Sequence, residues 1–484
     1  MNGTDLIAIL PFLVLAAAVV IVMLAIAVRR RHDLTFGLAL AGAVLSLAAL
    51  GPAAGVAPRH VTPLFIIDGY ALFYIGLILA ATIAVLALSH GYLDARRGPQ
   101  EEYYLLILLA AMGAAALVAS DHFASFFLGL ETLSISLLGL IAYPRDRARP
   151  VEAGIKYLIL AGVSSAFLLF GMALIYARLG TLSFGRIAVL LQTINEMPPD
   201  IYWLTGLAMI VAGIGFKLSV VPFHMWAPDV YEGAPAPVTA FIAVVSKGAV
   251  FALLLRYYLA ASAYSFQSAL VMIDVVAIAS ILIGNLLALR QNNVKRILAY
   301  SSIAHLGYLL VAFLAGGALA VEAVTYYLVA YFVMTLGAFG IVTVLSASGA
   351  DADTDALDDY RGLLWRRPWL AGVFTMMLLS LAGIPLTVGF MAKFYAVTAG
   401  IGADAWPAVF ALVVGSVIGL FYYLRIIVVM AAPAAKVIGV NAEGVPWAAG
   451  TTLAVLTLVL VWLGVYPAPL VSFIRLTALH MAGG

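Results

Sequence analysis

The stretch GFKLSVVPFHMWAPDVYEGAPAPVTAFIAVVSK, Gly215 to Lys247, decides how the chain is read. Lys217 lies inside an apolar run, Pro222 breaks that run, and His224 follows at once. Gly233, Pro235 and Pro237 then open a second apolar run that carries Lys247 in its middle. A charge in hydrocarbon costs several kcal/mol on most scales, and such residues line pathways. A helix broken at membrane depth survives only where its freed backbone groups face protein or a cavity. Two lysines flanking a break and a histidine therefore point to an ion path.

Composition agrees with a membrane setting. Of 484 residues, 65% are hydrophobic and 10% charged, against about 25% charged in soluble domains. A net charge of +2 is too small to argue for nucleic acid or an acidic partner. With no cysteine, disulfides, thiolate chemistry, cysteine-ligated iron–sulfur clusters and c-type haem are excluded. His224 and His305 are the histidines expected at membrane depth, and they lack the four-histidine, two-helix pattern of b-type haem. The expectation is an all-α membrane protein without cofactor or metal.

Spanning helices need roughly 20 apolar residues, and about fourteen such stretches follow one another. The first, Leu6 to Val28, lacks a basic region before it and is read as a retained helix rather than a signal peptide. With the N-terminus outside, sixteen basic residues fall at inner helix ends, five at outer ends and four within helices. That bias follows the positive-inside rule and places both termini outside. Arg256 is counted among the outer ends, and the Asp-rich connection from Asp351 to Arg367 reads as a solvated inner loop. A second break, at Gly383-Ile384-Pro385, precedes Lys393 by eight residues. Paired broken helices in two halves of a chain indicate repeats with the transport site between them. Five helices separate the two breaks, and an odd number makes the repeat inverted.

Glu131 lies about ten residues into the fifth helix and Lys247 ten beyond Pro237, each roughly 15 Å deep. At that depth neither side chain can snorkel to the interface. Lys393 and His305 fall at intermediate depth, and Lys156 near a helix start. A dry ammonium gives up its proton more readily, and a nearby carboxylate reverses the effect. Glu131 and Lys217 thus form a candidate switchable pair, and histidine bridges such stations near neutral pH. A sodium site would need more carboxylate and carbonyl oxygen, so lysine dominance favours protons. Asp121 and His122 read as an acidic helix cap. Asp229 and Glu232 either orient His224 or cap the loop after the break.

The residues 220–247 resemble the signature of the antiporter-like, proton-conducting subunits of respiratory complex I, the Mrp antiporters and membrane hydrogenases. EAGIKYLILAGVSSAFLLFG (152–171), NNVKRILAYSSIAHLGYLL (292–310) and LSLAGIPLTVGFMAKFYAV (379–397) are similar to the bacterial N-subunit branch, over nearly the whole chain. The M branch carries glutamate where this chain has Lys393, and the L branch continues into a long lateral helix. The chain ends eighteen residues after Tyr466, an expected stop without that helix.

The resemblance implies Glu131 and Lys217 as a paired charge, Lys247 as central relay and Lys393 as the exit-side station. His224, His305 and Lys156 would support them. It also implies three N-terminal helices (1–102), inverted five-helix repeats at 103–262 and 263–432, and a last helix with a short tail (433–484). The implied function is proton translocation from cytoplasm to periplasm in a bacterial inner membrane, driven by quinone reduction in partner subunits. Those partners would be subunit M, the small membrane subunits K and J, and a peripheral arm holding flavin and iron–sulfur clusters. An Mrp-type antiporter or membrane-hydrogenase subunit is the alternative, and a passive structural subunit the third reading.

Overall fold

The computed structural model describes residues 2–96, 98–194, 201–260, 267–347, 352–433 and 444–482. Arg97 and Lys436, two of the inner basic residues, and Asp351 lie outside them. Among the described residues, 13 helices are long and apolar enough to cross a membrane. They include α1 (Leu10–Val28), α2 (His32–Ala48), α3 (Gly69–Asp94), α4 (Glu101–Val118), α5 (Phe123–Ile141) and α6 (Ala148–Leu179). α7 (Ile201–Leu218) is followed by the short α8 (Trp226–Gly233) and then α9 (Ala236–Ala260). α10 (Gln267–Leu289), α11 (Val294–Phe313) and α12 (Gly317–Ala347) come next. α13 (Pro368–Ala382) and α14 (Val388–Gly402) are each too short to cross alone and together make one interrupted span. α15 (Trp406–Ala431), α16 (Trp447–Val465) and α17 (Ala468–Ala482) complete the chain. The 13 long helices plus the interrupted one match the expected fourteen crossings. A small hairpin, β1 (Arg59–Val61) with β2 (Phe65–Ile67), links α2 to α3.

Both expected interruptions are present. α7 stops at Leu218, four residues before Pro222, because the chain turns at Ser219 with a φ of 57°. α13 stops at Gly383, whose φ of 85° requires glycine. A Cβ there would also meet the Lys393 side chain at 2.8 Å.

The helices are not equally dry. In α9, α11 and α12, 94% of the spanning residues are buried, against 28% in α1 and α16. The three inner helices are where a charge is cut off from both water and lipid. Glycine brings neighbouring helices into backbone contact: a Cβ on Gly113 of α4 would lie 2.8 Å from the Gly129 carbonyl of α5. Gly284 of α10 meets the Ala304 amide of α11 at the same 2.8 Å. This small-residue packing is the usual substitute for hydrophobic drive between membrane helices.

Three sequence expectations need correction. Arg256, counted among the outer helix ends, is not an exposed charge. It is buried and forms two hydrogen bonds to Asp68, at 2.9 and 2.8 Å, joining α9 to the N-cap of α3. The Asp-rich connection is not simply solvated: Asp353 accepts from Tyr92 of α3, from Arg96 just beyond it and from Lys295 of α11, each at 2.8 Å. Burial alone would raise the Asp353 carboxyl, but the two cations outweigh it and hold it below the usual carboxylate range. Capping at α5 falls to His122, whose ring accepts from the Ala124 amide at 3.0 Å, rather than to Asp121.

Removing one member of a buried ion pair strands the other, at about 3–5 kcal/mol, whereas an apolar pair of similar volume is near neutral. Asp68→Leu alone should therefore lower the thermal midpoint of the purified protein well below that of the Asp68→Leu, Arg256→Met double variant. Equal midpoints for the two would show that Arg256 does not depend on Asp68.

Candidate functional site

Of four buried lysines, Lys295 meets the Asp353 carboxylate and the other three are each met by a serine hydroxyl. Lys217, at the end of α7, donates to Ser134 Oγ of α5 at 2.8 Å. Lys247 of α9 donates to Ser302 Oγ of α11 at 2.7 Å. Lys393 of α14 donates to Ser416 Oγ of α15 at 2.8 Å. All three are more than nine-tenths buried. Each ammonium also lies near an aromatic face: Tyr157 at 5.9 Å, Tyr231 at 5.1 Å and Tyr308 at 5.2 Å respectively. None forms an ion pair within 4.0 Å with a described carboxylate.

Glu131 is brought to the same neighbourhood but not into contact with Lys217. Its Oε1 accepts from Ser165 Oγ of α6 at 2.5 Å. Ser134 lies three residues further along α5, one helical turn from Glu131 and on the same face. Each member of the expected pair is thus held by its own serine, Glu131 by Ser165 and Lys217 by Ser134.

The breaks have a chemical use. A helix end leaves its last carbonyls without intrahelical partners. At the second break, the freed Ala382 carbonyl accepts from Lys393 Nζ at 2.7 Å. At the first, the Trp226 indole donates to the Phe216 carbonyl at 2.8 Å, and Lys217 turns instead to Ser134.

Between Lys247 and Lys393 runs a hydroxyl and imidazole network. Ser302 Oγ accepts from Lys247 and from Tyr331 (2.7 Å), leaving its own proton for the Tyr231 hydroxyl at 3.5 Å. One residue earlier, Ser301 is hydrogen-bonded to Tyr423 of α15. The Tyr423 hydroxyl reaches His305 Nε2 at 3.4 Å, and His305 Nδ1 meets the Tyr327 hydroxyl at 2.8 Å. A neutral imidazole donates at one nitrogen and accepts at the other, so this ring can take a proton on one side and release it on the other. Tyr308, beside Lys393, accepts from Asn285, which in turn accepts from Tyr422.

The remaining candidates are placed differently. His224 is buried in the loop after the first break, and neither ring nitrogen has a hydrogen-bond partner among the described residues. Asp229 and Glu232 do not orient it. They face α11 and α6, where Asp229 pairs with Arg296 (2.8 Å) and Lys156 (2.9 Å), and Glu232 with Arg296 (2.8 Å). Lys156 also pairs with Glu152 and keeps 44% of its side chain exposed, outside the dry network.

Sequence reading missed the serines and tyrosines, which carry no charge to betray them. It also missed the π-helical turn Ile242–Ser246 immediately before Lys247, a feature frequent at functional sites. Among the described residues, no group of three or more His, Asp or Glu could hold a metal.

Comparison with known proteins places the chain in a family. The family model described as NADH:quinone oxidoreductase/Mrp antiporter, TM, matches residues 120–419. The NADH-quinone oxidoreductase subunit N of Nitrosospira multiformis is 56% identical, covering 97% of this chain and 96% of that protein. The subunit N of Methylococcus capsulatus is 51% identical over 98% of this chain and 95% of its own length. A chain of respiratory complex I from Thermus thermophilus, solved with bound aureothin, superposes with a TM-score of 0.81 at 31% identity, covering 96% of this chain and 98% of that one. A chain of the Mrp complex from a Dietzia species reaches 0.86 at 21% identity, covering 100% and 98%, and so shares the fold.

A lysine kept for structure would destabilise the protein when replaced by methionine, which has similar reach but no charge. A lysine kept for chemistry carries its burial cost as a liability, and its removal is neutral or stabilising. Lys247→Met is expected to leave the thermal midpoint unchanged or raise it; a clear fall would mark Lys247 as structural.

Proposed function

This chain belongs to the NADH-quinone oxidoreductase subunit N family, within the wider NADH:quinone oxidoreductase/Mrp antiporter family, and we propose that its lysine–hydroxyl–histidine axis is its proton path. It is a proton-translocating membrane subunit of the oxidoreductase and has no redox chemistry of its own. The carrying observation is that Lys217, Lys247 and Lys393 are all buried and all hydrogen-bonded to neutral hydroxyls. A carboxylate contact would pin the ammonium charge; a hydroxyl solvates either protonation state and leaves the lysine free to exchange.

Protons would enter at Lys217 beside Glu131, pass to Lys247, cross by Ser302, Tyr331 and His305, and leave from Lys393. Lys156 would act at the inner mouth and His224 at the first break. The two halves, 103–262 and 263–432, would be inverted repeats each contributing a half-channel. This is supported by the two interrupted crossings and by the matched glycine contacts at Gly113 and Gly284. The chain would sit in a bacterial inner membrane with both termini periplasmic, beside subunits M, K and J, with flavin, iron–sulfur clusters and quinone in partner subunits. Moving one charge against 100 mV requires about 2.3 kcal/mol, and quinone reduction elsewhere in the complex would supply it. The curated relatives at 51–56% identity favour this assembly over an Mrp antiporter, whose likeness is confined to fold.

Lys217→Ala and Glu131→Gln should each reduce NADH-driven proton pumping in membrane vesicles by roughly an order of magnitude or more, the usual scale for loss of a proton-transfer group. Assembly, followed by ferricyanide-linked NADH oxidation, should be retained. Normal pumping in both variants would remove this pair from the path.

A further inference from the structure

A cavity of about 540 Å³ opens where the C-terminal end of α3 meets the start of α4 and the α5–α6 connection, on the basic face. Its volume falls within the roughly 300–1,000 Å³ of small-molecule sites. Four arginines line it, Arg30, Arg96, Arg145 and Arg147, against the carboxylates Glu102 and Asp146. Arg30 is already paired with Glu102, and Arg96 with Asp353. Arg145, between Pro144 and Asp146, is exposed and forms no ion pair within 4.0 Å among the described residues, so the α5–α6 connection brings a further cation to the wall. The N-terminus of α6, a helix of 32 residues capped at Arg147, adds the positive end of its dipole.

The setting is that of a headgroup zone. Tyr103 and Tyr143 line the same cavity, and tyrosine concentrates at that depth. Arg30, a lining residue, lies two residues beyond the end of α1, whose Val20, Leu24 and Val28 form an exposed apolar stripe at helical spacing that rises to 87% exposure at Val28. A cationic cavity bordered by a hydrocarbon-facing stripe suits one amphipathic anion better than a soluble one. We propose that this cavity binds the headgroup of an anionic phospholipid, with its phosphate near Arg145 and Arg147 and an acyl chain along α1. Basic pockets between membrane helices on the inner side recognise such headgroups. Only the naming of the leaflet as inner rests on the orientation proposed above. Pro235, the residue before the Lys247 helix, lines the same cavity, so the headgroup would lie against the start of that helix.

The test uses the assembled oxidoreductase in phosphatidylcholine vesicles doped with photoactivatable phosphatidylglycerol, with labelled peptides mapped after irradiation. Labels are expected within residues 98–104 and 142–149, displaced by unlabelled phosphatidylglycerol but not by more phosphatidylcholine or by inorganic phosphate. Arg145→Gln with Arg147→Gln should lower that labelling by roughly an order of magnitude, given the contribution of each basic residue at an anionic surface. Asp146→Asn should raise it. Both variants should keep NADH oxidation unchanged in phosphatidylcholine alone. Labelling that is insensitive to the arginines, displaced equally by phosphate or phosphatidylcholine, or absent because a neighbouring subunit covers the cavity overturns the proposal. None of these outcomes depends on Glu131 or Lys217, whose own pumping test decides the proton path.

Discussion

An ammonium group in hydrocarbon must be solvated by the protein, and the choice of solvating group decides what the lysine can do. A carboxylate partner would stabilise the charged form and give a buried ion pair, as at Asp68 and Arg256. A serine hydroxyl donates as readily as it accepts and holds the charged and neutral amine alike. This chain uses both solutions and keeps them apart. Ion pairs tie α3 to its neighbours near the ends of that helix, whereas Lys217, Lys247 and Lys393 meet hydroxyls.

The separation also gives the Lys247 helix a frame. Near its C-terminal end, Arg256 is fixed to Asp68, and the Tyr70 hydroxyl donates to the Ala252 carbonyl at 2.8 Å. Just before its other end, the Ala234 carbonyl accepts from Lys295 at 2.7 Å, and Lys295 is held by Asp353 together with Arg96. Helix α3 therefore braces α9 at both ends. The irregular π turn lies between those braces, next to Lys247. Rigidity at the ends and irregularity in the middle suit a side chain that must be held at one depth yet change partners.

The fold and the burial of Lys217, Lys247 and Lys393 were legible because hydrocarbon penalises both errors: an apolar run must be a helix, and a charge within one must have a reason. Pro222 and the Gly383-Ile384-Pro385 run announced the breaks for the same reason. What escaped was anything that depends on which helices touch. Arg256 and Asp353 looked like surface charges because each sits at a helix end or in a polar connection; their burial comes from α3, distant in sequence. Ser134, Ser302 and Ser416 are ordinary residues in a membrane helix, and only the approach of a lysine from another helix gives them a role. Lys156, expected only as a supporting residue near a helix start, pairs with Glu152 and Asp229, contacts that depend on helix packing and could not be read from its own stretch.

In the proposed path the first half differs from the second in having a carboxylate, Glu131, one helical turn along α5 from the serine that holds its lysine. In the arrangement seen, Lys217 rests on Ser134, and Glu131 is occupied by Ser165. Because Ser134 and Glu131 share a face of α5, the ammonium need travel only about 4.5 Å, three residues of rise, to exchange one for the other. The exchange gives up two hydrogen bonds to charged groups, worth about 1.5–3 kcal/mol each. It gains a charge pair worth about 4 kcal/mol at 4 Å and an effective dielectric of 20. These terms nearly cancel. A nearly balanced pair can be tipped either way by the charge of a neighbouring lysine, and a pair bound by several kcal/mol more in one state could not. The second half, where Lys393 is held by the Ala382 carbonyl as well as Ser416, lacks such a local alternative. In the proposed axis the decision to take up a proton therefore belongs to Glu131 and Lys217, and Lys393 answers to what arrives through His305.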